Sequence, residues 1–181
     1  MANDTTQQFD EAMAKCHNIF VKKTTDYGTS WRVMRPKSLT DQIFIKAKRI
    51  QTIEEKGTNL VEDPIDDDYR GIINYCILAL IQLQLNSNDE IELAPAKVTE
   101  LYDKHVAKIR ALLIKKNHDY GEAWRDMRVS SFTDLILMRL LRLKQMEDNK
   151  GQTLISEGPD ANYMDIVNYC VFALIKLGED K

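Results

Sequence analysis

Apolar residues recur at the spacing of one helix face in the first part of the chain, at Phe9, Met13, Cys16 and Phe20, which predicts a helix over about Gln8 to Lys23. The matching segment is Thr99 to Lys116. Between Thr24 and Lys37 the periodicity stops; Gly28 permits a tight backbone and Pro36 disfavours helix just before it, so a long loop is expected. Ser38-Leu-Thr-Asp41 and Ser131-Phe-Thr-Asp134 each set a hydroxyl three residues ahead of a carboxylate, as a capping box does, and predict second helices reaching about Lys56 and Lys150. Ile43, Ala47 and Ile50 give the first of these a single stripe. In its counterpart Leu135, Ile136, Leu137, Met138, Leu140, Leu141, Leu143 and Met146 surround most of the helix, which is expected to be the more buried. Asp63-Pro64 and Gly158-Pro159 both read as a cap followed by proline at the first helical position. The helices they open, to about Leu85 and Leu177, turn apolar on nearly every side from Ile72 and Ile166, which places both at the centre of a bundle.

These elements come in pairs because the sequence repeats itself. Lys23-Thr-Thr-Asp26-Tyr27-Gly28-Thr-Ser-Trp31 returns as Lys116-Asn-His-Asp119-Tyr120-Gly121-Glu-Ala-Trp124, and the same register carries Arg32 onto Arg125 and Arg49 onto Arg142. After a one-residue insertion near Asn149 it carries Asn74-Tyr75-Cys76 onto Asn168-Tyr169-Cys170. A period this long marks a tandem duplication of domain-like halves and not a solenoid. The halves are residues 1–85 and 96–181, joined by a linker at 86–95. Either half alone is short for an independent core, so the two are expected to share one. The expected fold is all-α: a six-helix bundle of two three-helix repeats related by a pseudo-two-fold, an internal pseudo-dimer. Pairing between whole chains stays open.

Composition fits this and removes several functions. The chain is 44% apolar and 29% charged with only 7 Gly and 4 Pro, a helical globular balance. A formal charge of -3 argues against binding a nucleic-acid backbone, which calls for a basic stripe. The opening residues lack the basic and apolar regions of a secretory signal, and the apolar runs Gly71 to Leu83 and Ile166 to Leu177 are too short to span a bilayer. A cytoplasmic protein without membrane partners is expected. Three cysteines make no disulfide framework, and Cys76 and Cys170 sit in the apolar runs as core residues. His17, His105 and His118 do not correspond between halves, so no zinc site is duplicated.

Candidate chemistry lies on the second and third helices of each half and in the repeated motif. Lys46 with Arg49, and Arg139 with Arg142, stand three residues apart and make a basic spot suited to phosphate or to pairing with the acidic third helix. Lys23 and Lys116 are further, weaker candidates for the same role. Asn74 and Asn168 are amides in apolar helices and need partners, either in the bundle or in a ligand. Asp63 and Asp67 share a helix face with Asn74, and Glu157 and Asp165 share one with Asn168. Such stacked carboxylates suit Mg²⁺, although acids near a helix start also complement its dipole. Tyr27 and Tyr120 offer rings for a base to stack on, Trp31 and Trp124 read as core anchors, and Asp26 and Asp119 read as turn or ligand residues.

Lys-x-x-Asp-Tyr-Gly-x-x-Trp, then Asp41-x4-Lys46-x2-Arg49, then acids leading into Asn74-Tyr75, resembles the nucleotide modification associated domain 1 family, twice over nearly the whole chain. That family is similar in helical pattern to the MazG-type all-α nucleoside triphosphate pyrophosphohydrolases. The resemblance implies a nucleoside phosphate as ligand, helix carboxylates holding Mg²⁺, and Asp67 and Asp165 in catalytic roles. It implies third helices with a series of acids, of which the first half keeps Asp63 and Asp67 but has Gly71, while the second keeps Glu157 and Asp165 but has Ala161. The second-helix carboxylates of the MazG type correspond at best to Glu54, Glu55, Glu147 and Asp148. Two functions follow: a Mg²⁺-dependent pyrophosphohydrolase in nucleotide-pool or nucleotide-modification metabolism, or a non-enzymatic nucleotide-binding or scaffold protein with decayed catalytic sites. At most one competent metal-nucleotide site is expected, containing Asp165 and Asn168.

Overall fold

The computed structural model describes residues 4–85, 90–155 and 157–179, and within these the chain is all-α. Six helices run in order: α1 (Thr5–Tyr27), α2 (Pro36–Lys56), α3 (Ile65–Gln84), α4 (Pro95–Tyr120), α5 (Val129–Asp148) and α6 (Pro159–Glu179). Short 3₁₀ turns at Ser30–Val33 and Ala123–Asp126 carry the two Trp residues. No helix of the described residues is long and apolar enough to cross a membrane. Of the expected linker, residues 86–89 lie outside the described residues, and its end, Pro95, is already the first residue of α4.

Several boundaries differ from the sequence reading. α1 begins at Thr5, with the Asp4 carboxylate accepting from the Thr6 N–H, and both α1 and α4 continue through the Asp-Tyr of the motif. The expected loop therefore shrinks to residues 28–35, with a 3₁₀ turn inside it, because charged and polar positions at a helix end have no apolar period to betray them. The capping boxes are not used: α2 and α5 start at Pro36 and Val129, ahead of Ser38 and Ser131, and the cap residues before them, Arg35 and Arg128, make no side-chain capping bond. Proline's fixed φ already suits the first helical position. Pro64 precedes α3 rather than opening it, whereas Pro159 does open α6.

α3 and α6 pack together, α2 lies against α3 and α5, and α5 lies against α6. One hydrophobic cluster takes in residues of both halves, including Cys76, Ile77, Cys170 and Val171, all fully buried. α5 buries Leu137 and Met146 beyond the positions matching those of α2, yet Met138 and Leu141 face out. Polar pairing across the halves is reciprocal. Tyr69 Oη lies 2.9 Å from Thr133 Oγ1, which donates to Glu54 at 2.8 Å; Tyr163 Oη lies 2.7 Å from Thr40 Oγ1, which donates to Glu147 at 2.7 Å. Residue i touching j′ while i′ touches j is how an isologous interface is built. Burial raises the carboxyl pKa of both glutamates. Glu54 and Glu147 thus belong to the seam between halves.

Candidate functional site

The repeated motif positions its side chains the same way in each half. α1 and α4 stop at glycine: Gly28, at φ 61° and ψ -139°, holds a backbone that only glycine adopts readily, and Gly121 is left-handed. The 3₁₀ turn that follows is bolted to the third helix of its own half. Gln82 Nε2 donates to the carbonyls of Arg32 (3.0 Å) and Met34 (2.7 Å), and its counterpart Lys176 donates to the carbonyl of Arg125 (2.5 Å). Trp31 and Trp124 are thereby turned inward over the third helices.

Each half then encloses one pocket, and the two are lined by corresponding residues. The first-half pocket, about 750 Å³, is lined by Lys23, Tyr27, Trp31, Met34, Lys46, Asn74 and Tyr75, with Asp67, Arg70 and Gly71 at one side. The second-half pocket, about 310 Å³, is lined by Lys116, Tyr120, Trp124, Met127, Arg139, Asn168 and Tyr169, with Asp165 where the first half has Gly71. Both volumes fall in the range of small-molecule sites. Tyr27 and Tyr120 are mostly exposed, at 71% and 73%, and stand at the mouths.

The electrostatics of the two differ. Asp165, 4% exposed, is held by Lys116 Nζ at 2.6 Å and Arg139 Nη2 at 2.9 Å, so both its oxygens are engaged by cations. Arg139 also donates to Asn162 Oδ1 at 3.1 Å. In the first pocket Lys23 makes no ion pair among the described residues, and Lys46 Nζ reaches only to 3.9 Å from Asp68. Arg70 pairs with Asp67 at 3.0 Å.

Unpaired polar atoms gather at these pockets. Among the described residues the indole N–H groups of Trp31 and Trp124 are buried with no hydrogen-bond partner, as are Asn117 Oδ1, Arg139 Nε and Asn168 Oδ1 around the second pocket. Asn74, by contrast, is satisfied: its Nδ2 donates to the Cys16 carbonyl at 3.1 Å and its Oδ1 accepts from Tyr102 at 2.8 Å. The repeat puts Phe9 at the position matching Tyr102, and phenylalanine has no hydroxyl for Asn168. Trp124 is flanked by Phe172, stacked at 4.4 Å, and by the Arg125 guanidinium at 4.3 Å, which leaves its edge for the pocket. Leu78 stands where Phe172 would be for Trp31.

The remaining candidates fall elsewhere. Arg49 pairs with the buried Asp68 and donates to Asn59 Oδ1 (3.0 Å) and the Asp63 carbonyl (2.9 Å), which makes it a strut between α2 and α3. Arg142, Asp26 and Asp119 are exposed and line neither pocket. Asp63 and Glu157 lie outside the helices in exposed segments. Among the described residues no three His, Cys, Asp or Glu side chains come together as a metal site. The residues present do not fit a protein-held Mg²⁺: Asp165 already serves two cations, Asp67 serves Arg70, and Asp63 and Glu157 line neither pocket.

A comparison with protein families places the motif. The model described as nucleotide modification associated domain 1 matches residues 23–83 and again residues 116–177, together well over half of the chain. The chain belongs to the nucleotide modification associated domain 1 family. Both matched segments begin at the motif lysine that lines its pocket, so the family's domain is the unit that builds one pocket. No curated protein and no solved structure was found to match. Arg70, Asn117, Phe172 and Tyr102 were not singled out by sequence reasoning; Tyr75 and Tyr169 carried a signal in the repeated Asn-Tyr-Cys.

Proposed function

We propose that this protein binds a nucleoside phosphate in a pocket built by its repeated domain, and binds it without a resident metal. One observation carries the reading: the same buried indole N–H, from Trp31 and from Trp124, is left without an acceptor at the same place in both halves. A buried donor left unpaired costs about 1–3 kcal/mol, and keeping two of them is intelligible if a ligand supplies the acceptor. A base offers ring nitrogen and carbonyl acceptors and flat faces for Tyr27, Tyr75 and Trp31, while Lys23 and Lys46 suit its phosphates. The family's name points to nucleotide chemistry in the same direction.

Hydrolysis of a nucleoside triphosphate to monophosphate and pyrophosphate is the second reading, favoured by Asp67, which lines the first pocket and keeps 60% of its side chain exposed beside Arg70. Trp31 and Trp124 are the only tryptophans and each lines a pocket, so intrinsic fluorescence reports both sites. Titration with a panel of nucleoside triphosphates should change that fluorescence saturably, and Trp31→Phe and Trp124→Phe should assign the change to a half. No response and no heat with any member of the panel would refute binding. Release of pyrophosphate with Mg²⁺ would decide for the hydrolase reading.

A further inference from the structure

The two pockets differ most at one position. In the second half the Asp165 carboxylate bridges Lys116 and Arg139. The repeat places Lys23, Lys46 and Gly71 at the matching positions, so the first half keeps the two cations and lacks the anion between them. The Lys46 side chain lies over the bare glycine: a Cβ added to Gly71 would stand 2.9 Å from Lys46 Cε and 3.2 Å from its Nζ. The first pocket is also the roomier, about 750 Å³ against about 310 Å³.

Lys23 and Lys46 line one cavity, Lys46 with only Asp68 at 3.9 Å, and two such cations call for an anion; a carboxylate on two nitrogen donors has the charge and oxygen spacing of one edge of a phosphate. We infer that Asp165 is a resident anion standing where the first-half pocket takes a phosphate of its ligand, so that phosphate binding is confined to the Lys23–Lys46 pocket. The second pocket, its cations already answered, admits only uncharged ligands, and its unpaired Asn117, Asn168, Trp124 and Arg139 atoms suit a neutral polar ring. The duplication has in this way produced one phosphate site and one site closed to phosphate. This rests on the nucleoside-phosphate reading for the identity of the ligand, but not for the anion site itself.

Exchanging the two residues tests it. Sodium pyrophosphate and the common ribo- and deoxyribonucleoside triphosphates would be titrated calorimetrically into the full chain and into Gly71→Asp and Asp165→Asn, with thermal melts to establish folding. The added Cβ of Gly71→Asp meets the far end of a flexible lysine, so this variant is expected to fold. The wild type should bind one pyrophosphate, Gly71→Asp should weaken it by about tenfold or more, and Asp165→Asn should gain a second phosphate site. If Asp165→Asn does not fold, Gly71→Asp decides alone. Pyrophosphate binding that is lost in Gly71→Asp, with no nucleotide binding, would uphold the anion site and refute the nucleotide. Nucleotide binding indifferent to Gly71→Asp, or two equivalent wild-type sites, would overturn the inference and leave the nucleotide reading standing. Absence of binding by every probe would overturn both.

Discussion

The pocket over Gly71 and the pocket over Asp165 are built from the same motif, yet in the first Lys23 has no carboxylate partner among the described residues and Lys46 reaches one only at 3.9 Å, whereas in the second one buried carboxylate holds both matching cations. Lys23 and Lys116 occupy the same motif position; only Lys116 has a carboxylate to hold, at 2.6 Å. Asn74 and Asn168 likewise match, but Tyr102 answers the first and Phe9 leaves the second without a hydroxyl. Duplication fixes where side chains stand, and single substitutions then decide whether each place is filled from within or left for a ligand.

The largest expected effects break ion pairs, and they should separate structural from ligand-facing charges. Arg49→Ala leaves Asp68 buried with only Lys46 at 3.9 Å, and Asp165→Ala leaves Arg139 without its carboxylate. Losing one partner of a buried pair costs about 3–5 kcal/mol, which partial exposure of these cations lowers, so each variant should melt well below the wild type in calorimetric scans. Nucleotide affinity should be nearly unchanged in Arg49→Ala. A large affinity loss with an unchanged melting point would return Arg49 to the site.

Next in size are the lysines. Removing Lys23 should cost about 1.5–3 kcal/mol of nucleotide binding if it meets a phosphate, whereas removing Lys116 should not weaken it, because Lys116 is committed to Asp165. Equal losses in both, measured by titration, would erase the distinction between the pockets. Tyr102→Phe is smaller again: it leaves Asn74 Oδ1 unpaired in a half-buried place, as Asn168 Oδ1 already is, and should lower stability by about 1–2 kcal/mol in denaturant melts. No loss would mean that water answers Asn74 as well as the hydroxyl does.

The smallest effect concerns the seam shared by both halves. Burial raises the pKa of Glu54 and Glu147 in the folded state, so the native protein holds protons there that the unfolded chain has released. Their contribution to stability is therefore fully present below the unfolded value of about 4.3 and is lost as pH rises through the raised folded value. Glu54→Gln and Glu147→Gln keep an acceptor for Thr133 and Thr40 and should flatten that decline in melts taken across the acidic range. An unaltered pH profile would show that the seam glutamates do not titrate there.

Much of the fold was legible because apolar spacing is long and repetitive in α3 and α6, and the duplication gave every element a second witness. Helix starts were less legible. Ser38 and Ser131 imitate capping residues two residues inside helices that proline geometry and tertiary packing had already begun. At the site, the motif lysines, tyrosines and asparagines do line the pockets, but the sequence does not say what a charged side chain pairs with. Arg49 and Arg139 look alike on their helices, and only the partner helix makes one a strut and the other a pocket wall. Asp165, inside an apolar helix, looks like a ligand for a metal until Lys116 and Arg139 are seen on its oxygens. The orphaned indole N–H groups leave no mark in the sequence at all.

The most direct measurement is a crystal structure of the protein grown with a nucleoside triphosphate that it binds. The phosphates should lie between Lys23 and Lys46 above Gly71, with the base toward Trp31, and Asp165 should still hold Lys116 and Arg139. Phosphates seated instead between Lys116 and Arg139, with Asp165 displaced, would contradict the division between the halves.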